Sequence, residues 1–234
     1  MRIQPGLVIH AAAASSTSTS ERLESAIVQA TENIVSACQD LGAFLIHISS
    51  DTVFDGEHAP YSESDPLAPI SPYGQAKATA EMLVRCLPAD QTCIARTSLI
   101  VGTKPLDSRS EWVVKSIQAD HPITLFVDEL RCPIWLEDVA ASIWELAAMG
   151  TCVPVIHLAG VEAISRYSLG LLIANYAGVS GRAIIGGYSR SQPQPRPRDL
   201  RLNGQLASRL LSRRPRLISE LLAPDLPLML EYGN

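Results

Sequence analysis

The sequence predicts an α/β fold, a doubly wound parallel sheet with helices on both faces, and three observations carry that expectation. Short apolar runs of strand length recur along the chain, amphipathic helical periods separate them, and polar residues collect where the runs end. Leu7-Val8-Ile9-His10 and the alanines after it form the first run, a buried strand that ends near Ala13, where serines and threonines break it. From Glu21 the apolar residues Leu23, Ala26, Ile27, Ala30, Ile34, Ala37, Cys38 and Leu41 keep the i, i+3, i+4, i+7 rhythm of one helix. Ser18 and Glu21 are spaced as a capping box, and Gly42 ends the helix. Ala43–Ser49 is the next buried strand, and the order strand, long helix, strand reads as a parallel crossover.

A long loop from Asp51 to Ser71 leaves that strand. Ser71-Pro72 then supplies an N-cap and a proline at the first helical position for a helix reaching about Cys86, with a third strand at Thr92–Thr97. Strands near Ile123–Val127 and Val155–Leu158 alternate with helices near Glu111–Ala119, Glu137–Ala148 and Ser165–Tyr176. Ser189–Pro197 reads as an extended loop, and Asn203–Leu211 and Pro215–Leu222 as short helices of a smaller C-terminal lobe.

Composition narrows the function. The 234 residues are 47% hydrophobic and 18% charged, enough for one sizeable core or a core with a small lobe. A net charge of −5 without a run of like charge excludes a nucleic-acid or anionic-membrane footprint and favours small-molecule or protein partners. The apolar stretch Leu7–Ala14 is too short for a signal-peptide core or a membrane span, so a cytoplasmic location is expected. Cys38, Cys86, Cys93, Cys132 and Cys152 show no C-x-x-C spacing and read as reduced, mostly buried thiols. Five dispersed histidines give no metal-ligand spacing, and no metal is expected. His10 and His47 read as packed core residues, and Trp112, Trp135 and Trp144 as core or lobe packing.

In an open α/β sheet the ligand site lies beyond the carboxyl ends of the strands, which points to Ser50, Asp51 and Thr52. The following helix adds Tyr73 and Lys77 at i and i+4, one turn apart on one face. A lysine ammonium beside a tyrosine stabilises the phenolate, so the phenol can exchange a proton with a substrate oxygen near neutral pH, and a neighbouring serine hydroxyl can hold that oxygen. A Tyr-x-x-x-Lys pair on a solvated helix face is the plainer reading, and the surrounding residues decide against it.

Those residues are Ile48-Ser49-Ser50-Asp51-Thr52-Val53-Phe54-Asp55-Gly56, Tyr61-Ser62-Glu63-Ser64-Asp65, Pro69, Ser71-Pro72-Tyr73-Gly74-Gln75-Ala76-Lys77 and Glu81. Together they resemble the central block of the dTDP-4-dehydrorhamnose reductases, within the extended short-chain dehydrogenase/reductase superfamily. Val8–Ala13 resembles the family's strand beneath the cofactor, and Arg96-Thr97-Ser98 its strand after the catalytic helix. Cys132-Pro133 and Asp138-Val139-Ala140 resemble its substrate lobe, and Arg196-Pro197-Arg198-Asp199 with Leu202 its C-terminal signature.

The resemblance implies a Rossmann-like NAD(P)-binding and catalytic domain over about residues 1–128 and a mixed substrate-binding lobe with the last sheet elements over 129–234. It implies NADPH- or NADH-dependent reduction of the 4-keto group of a nucleotide-linked sugar. Ser50, Tyr73 and Lys77 are then catalytic, Ala11, Ala12 and Ala13 join Tyr73 and Lys77 at the cofactor, and Asp51, Thr52, Leu99 and Arg196 meet the substrate. Thr52 replaces a tyrosine usual in the family and Leu99 a frequent tryptophan, which leaves the sugar open. Dehydratases of the superfamily follow the catalytic position with Asp-Glu, and epimerases place small residues before Val-Tyr-Gly; neither fits Ser50–Gly56.

The family's glycine-rich turn, its selector residue and its first strands find no counterpart before His10, and the fourteen glycines include no G-x-x-G-x-x-G. An N-terminally truncated chain is therefore expected, with an exposed sheet edge covered by a second copy or by a partner. A non-catalytic binding or regulatory subunit, like the β subunit of methionine adenosyltransferase, or an inactive fragment is the alternative.

Overall fold

The computed structural model describes residues 3–150 and 153–223, so Cys152 lies outside the described residues. Strand β1 (Leu7–His10) stops three residues short of the expected end, and Ala11–Ala13 are exposed and irregular. Only as far as His10 does β1 have a partner, pairing residue by residue with Phe44–His47. Helix α1 (Ser20–Leu23) passes through a π-helical stretch, Glu24–Gln29, into α2 (Ala30–Leu41). The expected single helix is thus locally widened, and there the buried Thr31 hydroxyl donates to the Ile27 carbonyl at 2.6 Å. The N-cap is Thr19, not Ser18: the Ser18 N–H is already engaged in a turn to Ser15 O. Gly42 closes α2 at φ 62°, a conformation that favours glycine.

Strand β2 (Phe44–Ser50) runs into a short 3₁₀ turn, Asp51–Val53. Helix α3 (Pro72–Val84) begins as expected, with the Ser71 hydroxyl accepting from Gly74 N at 3.1 Å. Strand β3 (Thr92–Thr97) falls where the sequence puts it, and β4 (Ile100–Val101) follows. Helix α4 (Ser108–Gln118) starts three residues earlier than its apolar rhythm, because Asp107 caps it and accepts from Arg109 N and Ser110 N. Then come β5 (Ile123–Phe126), β6 (Leu130–Arg131), β7 (Ile134–Trp135), α5 (Leu136–Met149) and β8 (Val155–Leu158). The chain continues through β9 (Ile164–Ser165), α6 (Arg166–Tyr176), β10 (Ile184–Gly187), α7 (Gln205–Leu210) and α8 (Ile218–Leu222). The expected loop at Ser189–Pro197 opens with a 3₁₀ turn, Ser189–Ser191.

The main sheet is parallel, in the order β1-β2-β3-β8. Its strands carry apolar residues on both faces, as a sheet sandwiched by helices requires, with His10, His47, Arg96 and His157 buried among them. Leu45, Ile94 and Val155 point to α2 and α3, where Val35, Cys38 and Val84 meet them. Their neighbours Ile46, Cys93, Ala95 and Ile156 point the other way, to Val139, Ile143 and Leu146 of α5 and Leu211 after α7. β5 does not join this sheet. It pairs with β10 in a separate parallel pair, packed with α4, α6 and α8 around Leu125, Leu169, Ile173 and Ile218. Trp135 is buried in that second core, whereas Trp112 and Trp144 are 50% and 67% exposed, so packing accounts only for the first. Cys38, Cys93 and Cys132 are buried as expected, and Cys86 is exposed. Among the described residues, no helix is long and apolar enough to cross a membrane and no cluster is suited to a metal.

Candidate active site

The carboxyl ends of β2 and β3 converge on the first turn of α3, and the reason is local. Gly74 lies so close to the 3₁₀ turn that an added Cβ would stand 2.1 Å from Thr52 O. Only glycine lets the first turn of α3 pack this closely on the 3₁₀ turn that follows Ser50.

Ser50, half-buried, donates to Asp51 Oδ1 at 3.2 Å and accepts from the Thr52 hydroxyl at 3.0 Å and the Thr52 N–H at 3.2 Å. Asp51 is buried, receives Ser98 Oγ at 2.9 Å and has Arg131 Nε at 3.8 Å. Burial pushes its carboxyl above the ordinary range, while Arg131, the two serine hydroxyls and Arg109 pull it back.

Tyr73 is half-buried against Ala14 and Val28, over Leu23, Ile27, Ala76 and Ala80. Burial raises its phenol, Arg109 lowers it and Asp51 raises it, for a net shift upward. The sequence expectation of a depressed phenol is therefore not met. Lys77 is buried one turn behind and donates to the Ile48 carbonyl at 2.5 Å. Burial brings its ammonium down to about 8, against the pull of Glu81. Beneath it, His10 and His47 face each other across β1 and β2 with Nδ1 atoms 3.3 Å apart, buried as expected. Burial first, and then Lys77, keep both imidazoles below their usual value.

Leu99, half-buried after β3, packs against the second core. Arg196, exposed, pairs with buried Glu129 and lies over the Phe126 ring at 5.0 Å. The other arginines of its segment turn elsewhere, Arg198 to Glu57 and Arg201 to Asp199. Arg196 belongs instead to a cationic group that no sequence spacing announces, formed with Arg109, Arg131 and Arg166. Arg166 is half-buried and held at about 10, first by burial and then by Arg109, Arg131 and Arg196, with Glu129 opposing. Ser98 is the other residue missed from sequence; it leaves β3 as Ser50 leaves β2, which is the signal that marks it.

The residues present fit the nicotinamide-ribose end of a dinucleotide: exposed, small Ala11, Ala12 and Ala13 follow β1, with a phenol and an ammonium on α3. Among the described residues, the glycines offer no strand–turn–helix cradle for a pyrophosphate.

Three comparisons place this arrangement among known proteins. A probable low-salt glycan biosynthesis reductase of Haloferax volcanii is 31% identical over 173 residues, covering 71% of this chain and 57% of that protein. Methionine adenosyltransferase 2 subunit beta of Pongo abelii is 31% identical over 191 residues, covering 74% and 54%. The crystal structure of a hypothetical dTDP-4-dehydrorhamnose reductase from Sulfolobus tokodaii superposes with a TM-score of 0.75 at 29% identity, covering 89% of this chain and 75% of that one. The chain thus spans about half the length of the curated relatives it matches. The family model described as the RmlD substrate binding domain matches residues 1–222. With the Tyr73-x-x-x-Lys77 motif, the parallel sheet and this match in agreement, the chain belongs to the RmlD substrate binding domain family.

Proposed function

We propose that this chain carries the catalytic and substrate-binding part of an NAD(P)H-dependent reductase that converts the 4-keto group of a nucleotide-diphosphate hexose to an alcohol. The observation that carries the reading is the close packing of the first turn of α3, which bears Tyr73, on the 3₁₀ turn that follows Ser50, with buried Lys77 one helical turn on. Ala11–Ala13, Tyr73 and Lys77 would hold the nicotinamide-ribose end of the cofactor, which when bound would supply a hydride for the carbonyl carbon. Ser50 holds the carbonyl oxygen, and Tyr73 delivers the proton that completes the hydroxyl. Lys77 holds the ribose, and its ammonium returns a proton to the phenolate. Asp51, Thr52 and Leu99 face the sugar. Arg131, Arg166 and Arg196 gather more positive charge than Glu129 and Asp51 balance, which suits a diphosphate. We place the lobe boundary near residue 128, with the two lobes interleaved. Strand β1, at the sheet edge, is where a second copy or a partner would pair.

The experiment is calorimetric titration with NADPH and with NADH, paired with reduction of a dTDP-4-keto sugar by wild type and Tyr73→Phe. Micromolar binding with turnover lowered about 10²–10⁴-fold by the substitution is expected. The similarity to a methionine adenosyltransferase β subunit favours a second reading, a non-catalytic binding or regulatory subunit. A folded chain that binds either dinucleotide without turning over any keto sugar decides for it.

A further inference from the structure

Ser50 and Thr97 are the last residues at which β2 and β3 pair, so the next residue on each strand, Asp51 and Ser98, lies just past the end of the sheet. Ser98 is buried, and its hydroxyl is used twice: it donates to Asp51 Oδ2 at 2.9 Å and accepts from Cys132 N at 3.2 Å. The second contact opens a seam. Ile134 N donates to Leu99 O at 2.8 Å, and β4 then pairs with β7, so the chain after Ser98 is laced to the segment that carries Cys132 and Pro133. Ser98 is thus the point at which the end of β3, the exit of β2 and the segment after β6 meet.

The contact with Asp51 bears on what Ser50 can do with its one proton. Ser50 Oγ accepts from Thr52 N at 3.2 Å and from Thr52 Oγ1 at 3.0 Å, which fills both lone pairs, and it donates to Asp51 Oδ1 at 3.2 Å. To hold a carbonyl oxygen, the Ser50 proton must turn from Asp51 to the substrate, and the buried carboxylate then loses a donor. Arg131 does not take its place as a hydrogen-bond donor: its Nη atoms are engaged by the carbonyls of Leu130, Pro197 and Arg198, and its Nε stands 3.8 Å from Asp51. Ser98 is the donor that stays.

We propose that Ser98 is a positioning residue that acts on Ser50 through Asp51: its hydroxyl, steadied by Cys132 N, holds the Asp51 carboxylate in place, so that the Ser50 proton is aimed and is free to turn to the substrate oxygen. The proposal rests on the reading of Ser50 as the group that holds the carbonyl, and adds the residue that fixes its direction. Without the Ser98 hydroxyl, Asp51 is free to rotate, and the hydrogen bonds that run on through Ser50 to Thr52 lose their fixed end. The hydroxyl is what counts, so threonine substitutes for serine and alanine does not.

The test is amide hydrogen exchange followed by NMR in the purified chain, with kinetics beside it. Ser98→Ala removes the acceptor of Cys132 N, so the Cys132 amide exchanges faster whatever else Ser98 does. The Thr52 amide is reached from Ser98 through Asp51 and Ser50. Its exchange is expected to quicken about five- to tenfold in Ser98→Ala and to return in Ser98→Thr, while the amides of β5, in the other core, keep their rates. The comparison of Ser98→Ala with wild type decides by itself if the added methyl of Ser98→Thr is not tolerated at this buried position. In reduction of a dTDP-4-keto sugar, Ser98→Ala lowers kcat about 10–10²-fold with KM little changed, and Ser98→Thr restores it. A Thr52 amide that keeps its wild-type rate in Ser98→Ala while Cys132 quickens overturns the proposal, and so does a rise shared by β5, which is general loss of stability. A variant with kcat intact and KM raised overturns it too; each of these leaves the reductase reading standing. Wild type that reduces no keto sugar counts against the reductase reading alone, and exchange at Thr52 still decides the hold of Ser98 on Ser50.

Discussion

Two buried carboxylates, Glu81 under the candidate site and Asp138 under the C-terminal segment, both sit at 0% exposure and both hold arginine. Their partners differ. Arg96, on β3, is 1% exposed and grips Glu81 through Nε at 3.0 Å and Nη2 at 2.9 Å, while Ser49 Oγ donates to the same carboxylate at 2.6 Å. Arg213 and Arg216 reach Asp138 at 2.8 and 2.9 Å from side chains 43% and 42% exposed. The first pair has no solvent to fall back on; the second keeps its cations in water. Similar hydrogen-bond lengths therefore conceal different energetics, since the cost of breaking a pair is set by what remains stranded in a low dielectric.

The sharpest way to break that contrast is Arg96→Met. It removes the buried cation and leaves Glu81 with the Ser49 hydroxyl and the half-exposed Arg85 at 3.7 Å, and a loss of about 3 kcal/mol in urea unfolding is expected. A loss no greater than that from the exposed pair would undo the distinction. Asp138→Asn is expected to cost less, about 2 kcal/mol, because Arg213 and Arg216 return to water. Its pH dependence sharpens the point. Burial works to raise the Asp138 carboxyl, but the side-chain and backbone hydrogen bonds of Arg216, with those of Arg213, outweigh it and hold the group below its ordinary value of 3.8. A depressed folded-state value means the stabilisation is complete above that figure and lost as pH falls through the folded value. The gap between wild type and Asp138→Asn should be flat from neutrality down to about pH 4 and close in stronger acid. The smallest effect belongs to Lys115→Ala, which opens an i,i+4 pair with Glu111 whose side chains are 69% and 50% exposed. Less than about 0.5 kcal/mol is expected from the same unfolding curves.

The elements most legible in the sequence are those whose signal is local. Thr92–Thr97 and Val155–Leu158 are short runs rich in apolar and β-branched residues, interrupted only by Arg96 and His157, and both strands appear at those residues. Ser71-Pro72 announces α3 because cap and proline act within one turn. Ala11–Ala13 continue an apolar run, yet the strand ends at His10, where its pairing with β2 ends. Ile123–Phe126 reads like any other strand, but its partner is β10, 61 residues on at the first paired position, and nothing in its own pattern assigns it to a second sheet. The π-helical stretch at Glu24–Gln29 is equally silent in the apolar rhythm, which it shifts by a fraction of a turn.

The candidate site divides in the same way. The sequence by itself determined that Tyr73 and Lys77 share a helix face, that Ser50, Asp51 and Thr52 leave the carboxyl end of a strand, and that Gly74 stands between them, because each is a matter of spacing along the backbone. Only the tertiary structure decided that Lys77 turns to Ile48 O, that Ser98 and Arg131 attend Asp51, and that Arg166 and Arg196 join one cationic group. Charge interactions depend on distance and burial in the folded chain, and neither is written in the order of the residues.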